Sequence, residues 1–527
     1  MTTITAPGVS VVDPINKEPA QAQENFKPII REKGLGLLQE IPDDGIVEII
    51  IPYLSKSELC NLSLVSKTLL VLSEDHSMWR QFTLNEFQGN FWYEKSWKYT
   101  YIHAWWLSKK IEKPCPFTGF SGTLYSRWSR SQFDMSLFDI PFSHIERIPA
   151  ESITYEQFTE KYNKFQIPVI ITGALSSWKA MTNWKLDSFL EKYGEVEFKT
   201  DQQVSHLGPH YSELYREYLQ DKKEGKDLSK YDEHRKEGNI KIKFQNYANY
   251  MKHNQDENPI YVFDSKFAER DVRLLDEYEI PQLFKEDFFE QCLSLDERPL
   301  FRWLVVGPAR SGTQFHMDPY LTSAWNALLS GRKRWLFYPM SHVSEDLEEA
   351  IEEMKSAEQE MIQEKLQFEK QIKTKLLHEG KINKIYEDEF EIKDNAQPVP
   401  SYVPCSEPIQ WLTNEYYEAL NQGRRPWECV QYPGDLIFVP STWWHMVLNL
   451  DDTFAVTQNF CDSSNVHLVY SDLVKRSPRM AKLLRRGLQR IGKLDLIRPY
   501  LSEEEYKDAV EKANETDDIE MKDSCNK

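Results

Sequence analysis

The segment SGTQFHMDPYLTSAWNALLSGRKRW, residues 311–335, decides how this 527-residue chain is read. Short apolar runs alternate there with Ser-Gly breaks, and Gly307-Pro308 precedes them, so residues 301–340 read as a meander of short strands and tight turns. His316 and Asp318 stand two apart. In an extended strand, residues i and i+2 project from one face, so this imidazole and carboxylate can share one ion.

A second segment, PGDLIFVPSTWWHMVLNL at 433–450, reads as strand Leu436–Val439, a Pro440-Ser441 turn and a strand from His445 to Leu450, with a third strand over Thr453–Phe460. His445 would bring a third ligand from a neighbouring strand. Two imidazoles and one carboxylate on one side of a metal leave three positions open, which suits non-haem iron(II) oxygenases. The H-x-D spacing alone is common and decides little. Its company carries more: Thr-x-x-His-x-Asp-Pro, then Thr-Ser-Ala-Trp-Asn, a Gly turn, Lys-Arg-Trp, and later Pro-Gly-Asp and Trp-Trp-His.

Working outward, a β-branched strand (Ile167 to Thr172) lies between two helical stretches, the first over Glu156 to Lys164. Residues 205–237 and 342–395 are charged insertions. The second carries Leu347, Ile351, Met354, Met361 and Leu366 on a sparse helical stripe. Residues 81–145 form an aromatic-rich connector, with FWYEKSWKYTYIHAWW at 91–106. The basic run KRSPRMAKLLRRGLQRIGK at 475–493 reads first as a packing helix within C-terminal helices over 476–510. A nuclear signal or a nucleic-acid contact are its alternatives. Residues 1–34 are polar and aperiodic, a disordered arm, and 511–527 a disordered acidic tail.

Near the start, residues 35–80 read as short amphipathic helices broken at Pro42, Pro52 and Ser55, with Leu59, Leu62, Leu64 and Val65 at helical spacing and Ser57 placed as a cap. The 83 acidic and 64 basic residues give a formal charge of −19, which opposes general coating of nucleic acid and favours a basic protein partner. Seven scattered Cys without a C-x-x-C pair exclude a disulfide framework or structural zinc site. With no secretory leader and no run of 18 apolar residues, the expected setting is a reducing compartment, nuclear and/or cytoplasmic, without membrane insertion.

Residues Leu37 to Trp79 resemble the F-box, through Ile41-Pro42, Ile46, Ile49, Ile50, Leu54, Leu59, Leu62, Val65, Ser66, Leu72 and Trp79; the usual Leu-Pro opening is here Ile-Pro. That resemblance implies docking of a Skp-type adaptor and a cullin ubiquitin ligase. Residues from about 150 to 475 resemble a jumonji-C domain of the lysyl-hydroxylase and arginine-demethylase subgroup, most specifically in the two segments quoted. The two resemblances together imply an α+β architecture: a double-stranded β-helix (cupin-like jelly roll) with surrounding helices over 146–475, preceded by the small all-α F-box. Residue by residue, His316, Asp318 and His445 match the iron triad, and Lys333 the lysine that pairs with the distal carboxylate of 2-oxoglutarate. Thr457 and Asn326 match groups lining the cosubstrate pocket, Thr313 and Asn459 flank it, and Tyr261 and Trp303 match its aromatic positions. Without the resemblance, Lys333 reads as an exposed turn lysine, and Thr457 with Asn459 as a buried hydrogen-bond network.

The implied cofactors are iron(II), 2-oxoglutarate and dioxygen, with ascorbate supportive. The implied activity is hydroxylation of lysine in a basic protein, a histone or splicing-type factor. Histone lysine or arginine demethylation is the alternative within enzymes, and a non-catalytic F-box substrate receptor the alternative outside them.

Overall fold

The computed structural model describes residues 34–42, 45–51, 54–74, 76–109, 133–203, 239–295, 297–339, 407–421, 424–502 and 506. Both charged insertions, the N-terminal arm to residue 33 and the acidic tail lie outside the described residues. One compact unit runs to Phe82 and a second begins at Thr83.

In the first unit, the helix Lys56–Ser63 starts at Ser55, not Ser57. Ser55 and Glu58 form a reciprocal capping box: the Ser55 hydroxyl accepts from Glu58 N at 3.3 Å, and Glu58 Oε2 accepts from Ser55 N at 2.8 Å. The acid three residues on selects this serine, satisfying two otherwise orphaned donors. Ser66 caps the next helix, Lys67–Leu72. Their inner faces bury Leu59, Leu69 and Leu72 with Trp79, whose indole N–H donates to the Ser73 carbonyl at 2.9 Å. Leu37, Leu64 and Val65 remain outside at 92%, 84% and 70% exposure.

The second unit carries the strands β1 (Glu146–Pro149), β2 (Val169–Thr172), β3 (Glu197–Gln203), β4 (Asn239–Lys243), β5 (Val262–Asp264), β6 (Arg302–Gly307), β7 (Gly312–His316), β8 (Ser323–Ser330), β9 (Lys333–Pro339), β10 (Trp427–Gln431), β11 (Leu436–Val439), β12 (Trp443–Asn449) and β13 (Thr453–Phe460). They form a nine-stranded sheet, β1-β2-β11-β8-β13-β6-β5-β3-β4, and a four-stranded sheet, β10-β9-β12-β7. The meander reading of 301–340 is therefore wrong in topology. β6 and β8 belong to the large sheet and β7 and β9 to the small one, so each turn crosses between sheets. Strand alternation does not distinguish a turn that folds back from one that crosses over; pairing partners far along the chain decide it. Gly331 makes such a crossing at φ 76°, where a Cβ would sit 2.3 Å from the Asp452 carbonyl oxygen.

Between the sheets lie Ile170, Ala324, Trp335, Phe337, Ile437, Val439, Trp443 and Val447, with Trp335 stacked on Phe337 at 5.6 Å. On β9, Arg334 meets Glu428 of β10 as a buried ion pair that Tyr416 Oη also reaches at 2.8 Å. Removing one member of such a pair costs about 3–5 kcal/mol. The aromatic connector packs into this unit: Trp97 is fully buried, its indole donating to Asp256 at 2.8 Å, and Asn249 donates to the Tyr93 carbonyl at 2.8 Å. The basic run forms the helix Pro478–Arg490, whose Ala481, Leu484, Gly487 and Leu488 pack on Phe288, Phe289 and Cys292. None of the described helices is long and apolar enough to cross a membrane.

Candidate active site

β7 and β12 place the two histidines directly opposite: His316 is the register partner of His445, and their rings lie 4.2 Å apart. Each ring is oriented by the carbonyl two residues before it. His316 Nδ1 meets Gln314 O at 2.8 Å, and His445 Nδ1 meets Trp443 O at 3.1 Å. A carbonyl only accepts, so each Nδ1 carries the proton and each Nε2 keeps a free lone pair, the arrangement of a metal-binding imidazole.

Asp318 is not on the strand, which ends at His316. It precedes the turn Pro319–Leu321 in an extended conformation, φ −61° and ψ 146°, with its side chain making no capping hydrogen bond. That extended backbone keeps its carboxylate on the side of His316, as strand periodicity predicts, although the ladder has ended. Ligand atoms of His316, Asp318 and His445 lie within 4.8 Å of one another, close enough to hold one metal ion.

Burial pushes the Asp318 carboxyl up, offset in part by His316 and by a hydrogen bond with Asn459. Burial, with His316 beside it, pushes His445 down towards the neutral form that ligates metals. The turns around these ligands hold non-glycine residues at positive φ: Arg310 before β7, Tyr320 and Leu321 after Asp318, and Thr442 before β12. Such backbone costs of order 1–3 kcal/mol per residue and clusters where geometry serves a site.

At the far end of the same sheet, Lys333 is 1% exposed, contrary to the turn-lysine reading. It pairs in register with Asn449, four residues along β12 from His445, or about 13 Å at roughly 3.3 Å per residue. The lysine side chain and a five-carbon dicarboxylate bridge that gap. Nζ donates to Tyr261 Oη at 2.9 Å and Asn449 Oδ1 at 3.1 Å, both neutral. Burial alone pulls this ammonium down to about 7.

Across the large sheet, Trp303, Thr457 and Asn326 are consecutive register partners on β6, β13 and β8. Trp303 stacks on Phe263, and the Thr457 hydroxyl donates to the Trp325 carbonyl at 2.8 Å. Asn326 is buried and its Oδ1 has no hydrogen-bond partner among the described residues, an acceptor left for a ligand. Asn459 donates to Thr322 Oγ1 at 2.8 Å, beside Asp318. Thr313 lies on β7 opposite Val447. The sequence reading missed Asn449 and Ser311. The one available signal was a polar residue closing the apolar strand WWHMVLN.

Residues 155–465 match the family model described as Cupin-like domain, and the chain belongs to that family. Residues 38–85 match the F-box-like model. Among relatives, the lysine-specific demethylase JMJ21 of Arabidopsis thaliana is 33% identical over 84% of this chain and 39% of its own length. The arginine-specific demethylase JMJ22 of the same plant is 28% identical over 85% and 72%, respectively. The bifunctional arginine demethylase and lysyl-hydroxylase psr-1 of Caenorhabditis elegans is 31% identical over 67% and 71%. The chain thus spans about two fifths of JMJ21 and somewhat over two thirds of the other two.

Proposed function

We propose that this protein is an iron(II)- and 2-oxoglutarate-dependent oxygenase acting on a basic protein, with lysine hydroxylation as its reaction. One observation carries the reading: a His-Asp-His cluster and a buried lysine without a counter-ion among the described residues stand at opposite ends of one sheet, spaced for a dicarboxylate between them. His316, Asp318 and His445 would hold the metal from one side, leaving three positions open. Bound there, iron(II) supplies oxidative decarboxylation of 2-oxoglutarate to succinate, coupled to hydroxylation of a nearby C–H bond.

The chain's own residues bind, orient and exclude water. Lys333 takes the distal carboxylate, since a buried anion needs a compensating cation. Asn326 and Thr457 line one wall with Trp303; Tyr261 covers the lysine, and Thr313 flanks the site. Asn459 steadies Asp318. The inward faces of Trp335, Phe337 and Val447 keep the space between the ends dry.

Arginine or lysine demethylation is the second reading, favoured by the activities in the names of JMJ22, JMJ21 and psr-1. Hydroxylation of a methyl carbon on nitrogen gives a hemiaminal that collapses to the demethylated amine and formaldehyde, so one site serves both. The formal charge of −19 supports a basic substrate. The F-box-like unit would dock a Skp-type adaptor of a cullin ubiquitin ligase, with exposed Leu37, Leu64 and Val65 as its apolar contacts.

The test incubates the full-length protein with iron(II), ascorbate, 2-oxoglutarate and a library of basic peptides. Succinate and peptide masses are read against His316→Ala. A gain of one oxygen indicates hydroxylation; loss of a methylene indicates demethylation. Succinate formation no greater than that of the variant overturns the enzyme reading.

A further inference from the structure

Among the described residues, Lys333 donates only to neutral oxygen atoms. Its two hydrogen-bond acceptors are the Tyr261 hydroxyl and the Asn449 amide oxygen, and among the described residues no carboxylate lies within ion-pair distance. Asn449 is fully buried and fixed at three further points. Its backbone N donates to Ser311 O at 2.8 Å, and its carbonyl accepts from Arg310 N at 2.9 Å. Its side-chain Nδ2 donates to Ser311 Oγ at 2.9 Å.

The orientation of that amide is over-determined. The Ser311 hydroxyl donates its own proton to the Pro308 carbonyl at 2.5 Å, so it meets Asn449 with a lone pair and requires the NH2 group. Lys333 has only donors, so it requires the amide oxygen. Both demands turn Asn449 the same way. Gly307 makes the assembly possible, since a Cβ there would lie 2.3 Å from Ser311 Oγ and 2.4 Å from the Tyr261 ring.

We propose that Asn449, oriented by Ser311, is a positioning and selectivity residue: it fixes Lys333 Nζ at the pocket floor through a neutral oxygen and leaves its charge uncompensated, so that the ligand must supply the carboxylate. The inference rests on the 2-oxoglutarate reading of the site and adds what makes that site selective. An aspartate at 449 is nearly isosteric. It places one oxygen where the amide oxygen stands and a second where the NH2 group stands, which the Ser311 hydroxyl meets by turning its proton from the Pro308 carbonyl, and it brings the missing charge with it. The floor then becomes an internal ion pair, and the distal carboxylate of the ligand is repelled.

The test uses Asn449→Asp and Asn449→Ala in the full-length chain, loaded with iron(II) under anaerobic conditions. Calorimetry follows 2-oxoglutarate and a 2-oxo acid of equal length without the distal carboxylate. Thermal unfolding of each protein is recorded alongside.

Wild type should bind 2-oxoglutarate and discriminate strongly against the monocarboxylate. Asn449→Asp should keep or raise the unfolding temperature, weaken 2-oxoglutarate on the order of a hundredfold from like charges about 5 Å apart, and erase the discrimination. In air, with succinate as the readout, Asn449→Ala should raise KM for 2-oxoglutarate with kcat changed far less, and an equal loss in kcat alone would overturn the positioning role. If wild type does not bind 2-oxoglutarate, the reading of the site has failed. If wild type binds it and Asn449→Asp binds within threefold, the selectivity inference has failed while the reading stands. Failure of Asn449→Asp to fold also overturns the inference, which requires that carboxylate to satisfy Lys333.

Discussion

Raising the pH should weaken 2-oxoglutarate binding through Lys333. Burial lowers its ammonium from 10.5 to about 7, with no nearby anion among the described residues to restore it. In the empty pocket the lysine therefore loses its proton as pH rises through about 7, whereas a bound carboxylate requires the cation. Below 7 the affinity should be flat. Above 7 it should fall about tenfold, or about 1.4 kcal/mol, per pH unit. Between pH 6.5 and 8.5 the loss is about 25-fold, and near pH 8.5 each ligand bound takes up nearly one proton. Calorimetry of the iron(II)-loaded protein under anaerobic conditions, in buffers of different ionisation enthalpy, measures both quantities. Lys333→Met should lose most affinity together with the pH slope. A pH-independent Kd with no proton uptake in the wild type would refute the reasoning, because it would mean that Lys333 is either charged throughout or unused. The linkage for folding has the opposite sign: between about 7 and 10.5 the unfolded chain binds the proton that the native chain does not, so without ligand stability rises with pH there.

The same geometry sets other outcomes. His316→Ala should abolish 2-oxoglutarate-dependent succinate formation while adaptor capture is unchanged, read by mass spectrometry and co-purification. Leu64→Asp with Val65→Asp should abolish adaptor capture without lowering the unfolding temperature, since both side chains are exposed; Leu59→Asp, at a fully buried position, should unfold the helical unit instead. Ser55→Ala should cost about 1 kcal/mol and Ser57→Ala almost nothing, measured by denaturant titration; the reverse order would contradict the capping box. Gly487→Ala should destabilise by about 1–3 kcal/mol, because its Cβ would sit 2.2 Å from that of Cys292, outweighing the gain in helix propensity of about 1 kcal/mol. An unchanged melting temperature would show that the helix can shift.

Much of the site was legible because it is encoded locally. His316 and Asp318 sit in one short segment, and His445 lies in another whose strand bounds at Leu436–Val439 and Thr453–Phe460 emerge as read. Crossing of consecutive strands between sheets was not legible from alternation, since periodicity gives a strand its two faces but not its neighbours. Lys333 shows the same limit. Its Ser-Gly-Arg-Lys context looks like a solvated turn, and only pairing with β12, distant along the chain but adjacent in space, buries it. Ser55 was passed over for Ser57 because both precede apolar helical positions; the deciding partner, Glu58, is a reciprocal contact rather than a preference.

β7 carries one histidine, leads directly into the aspartate, and is an edge of the four-stranded sheet. It is half-buried along its whole length, and its pairing with β12 shifts register between His445 and Val447. Beyond β12 it is held by side chains, Phe315 against Trp411 and Gln314 donating to Glu407 at 3.0 Å, and not by a second ladder, so this strand should be the first part of the sheet to fray, and whatever joins His316 to His445 also closes the ladder. Site occupancy and local order are then one variable. A ligand that binds only the closed form stabilises it by RT ln(1 + [L]/Kd). Amide exchange along Gly312–His316 should slow as metal is added, and the lifetime of the chain in a cell should track its iron supply.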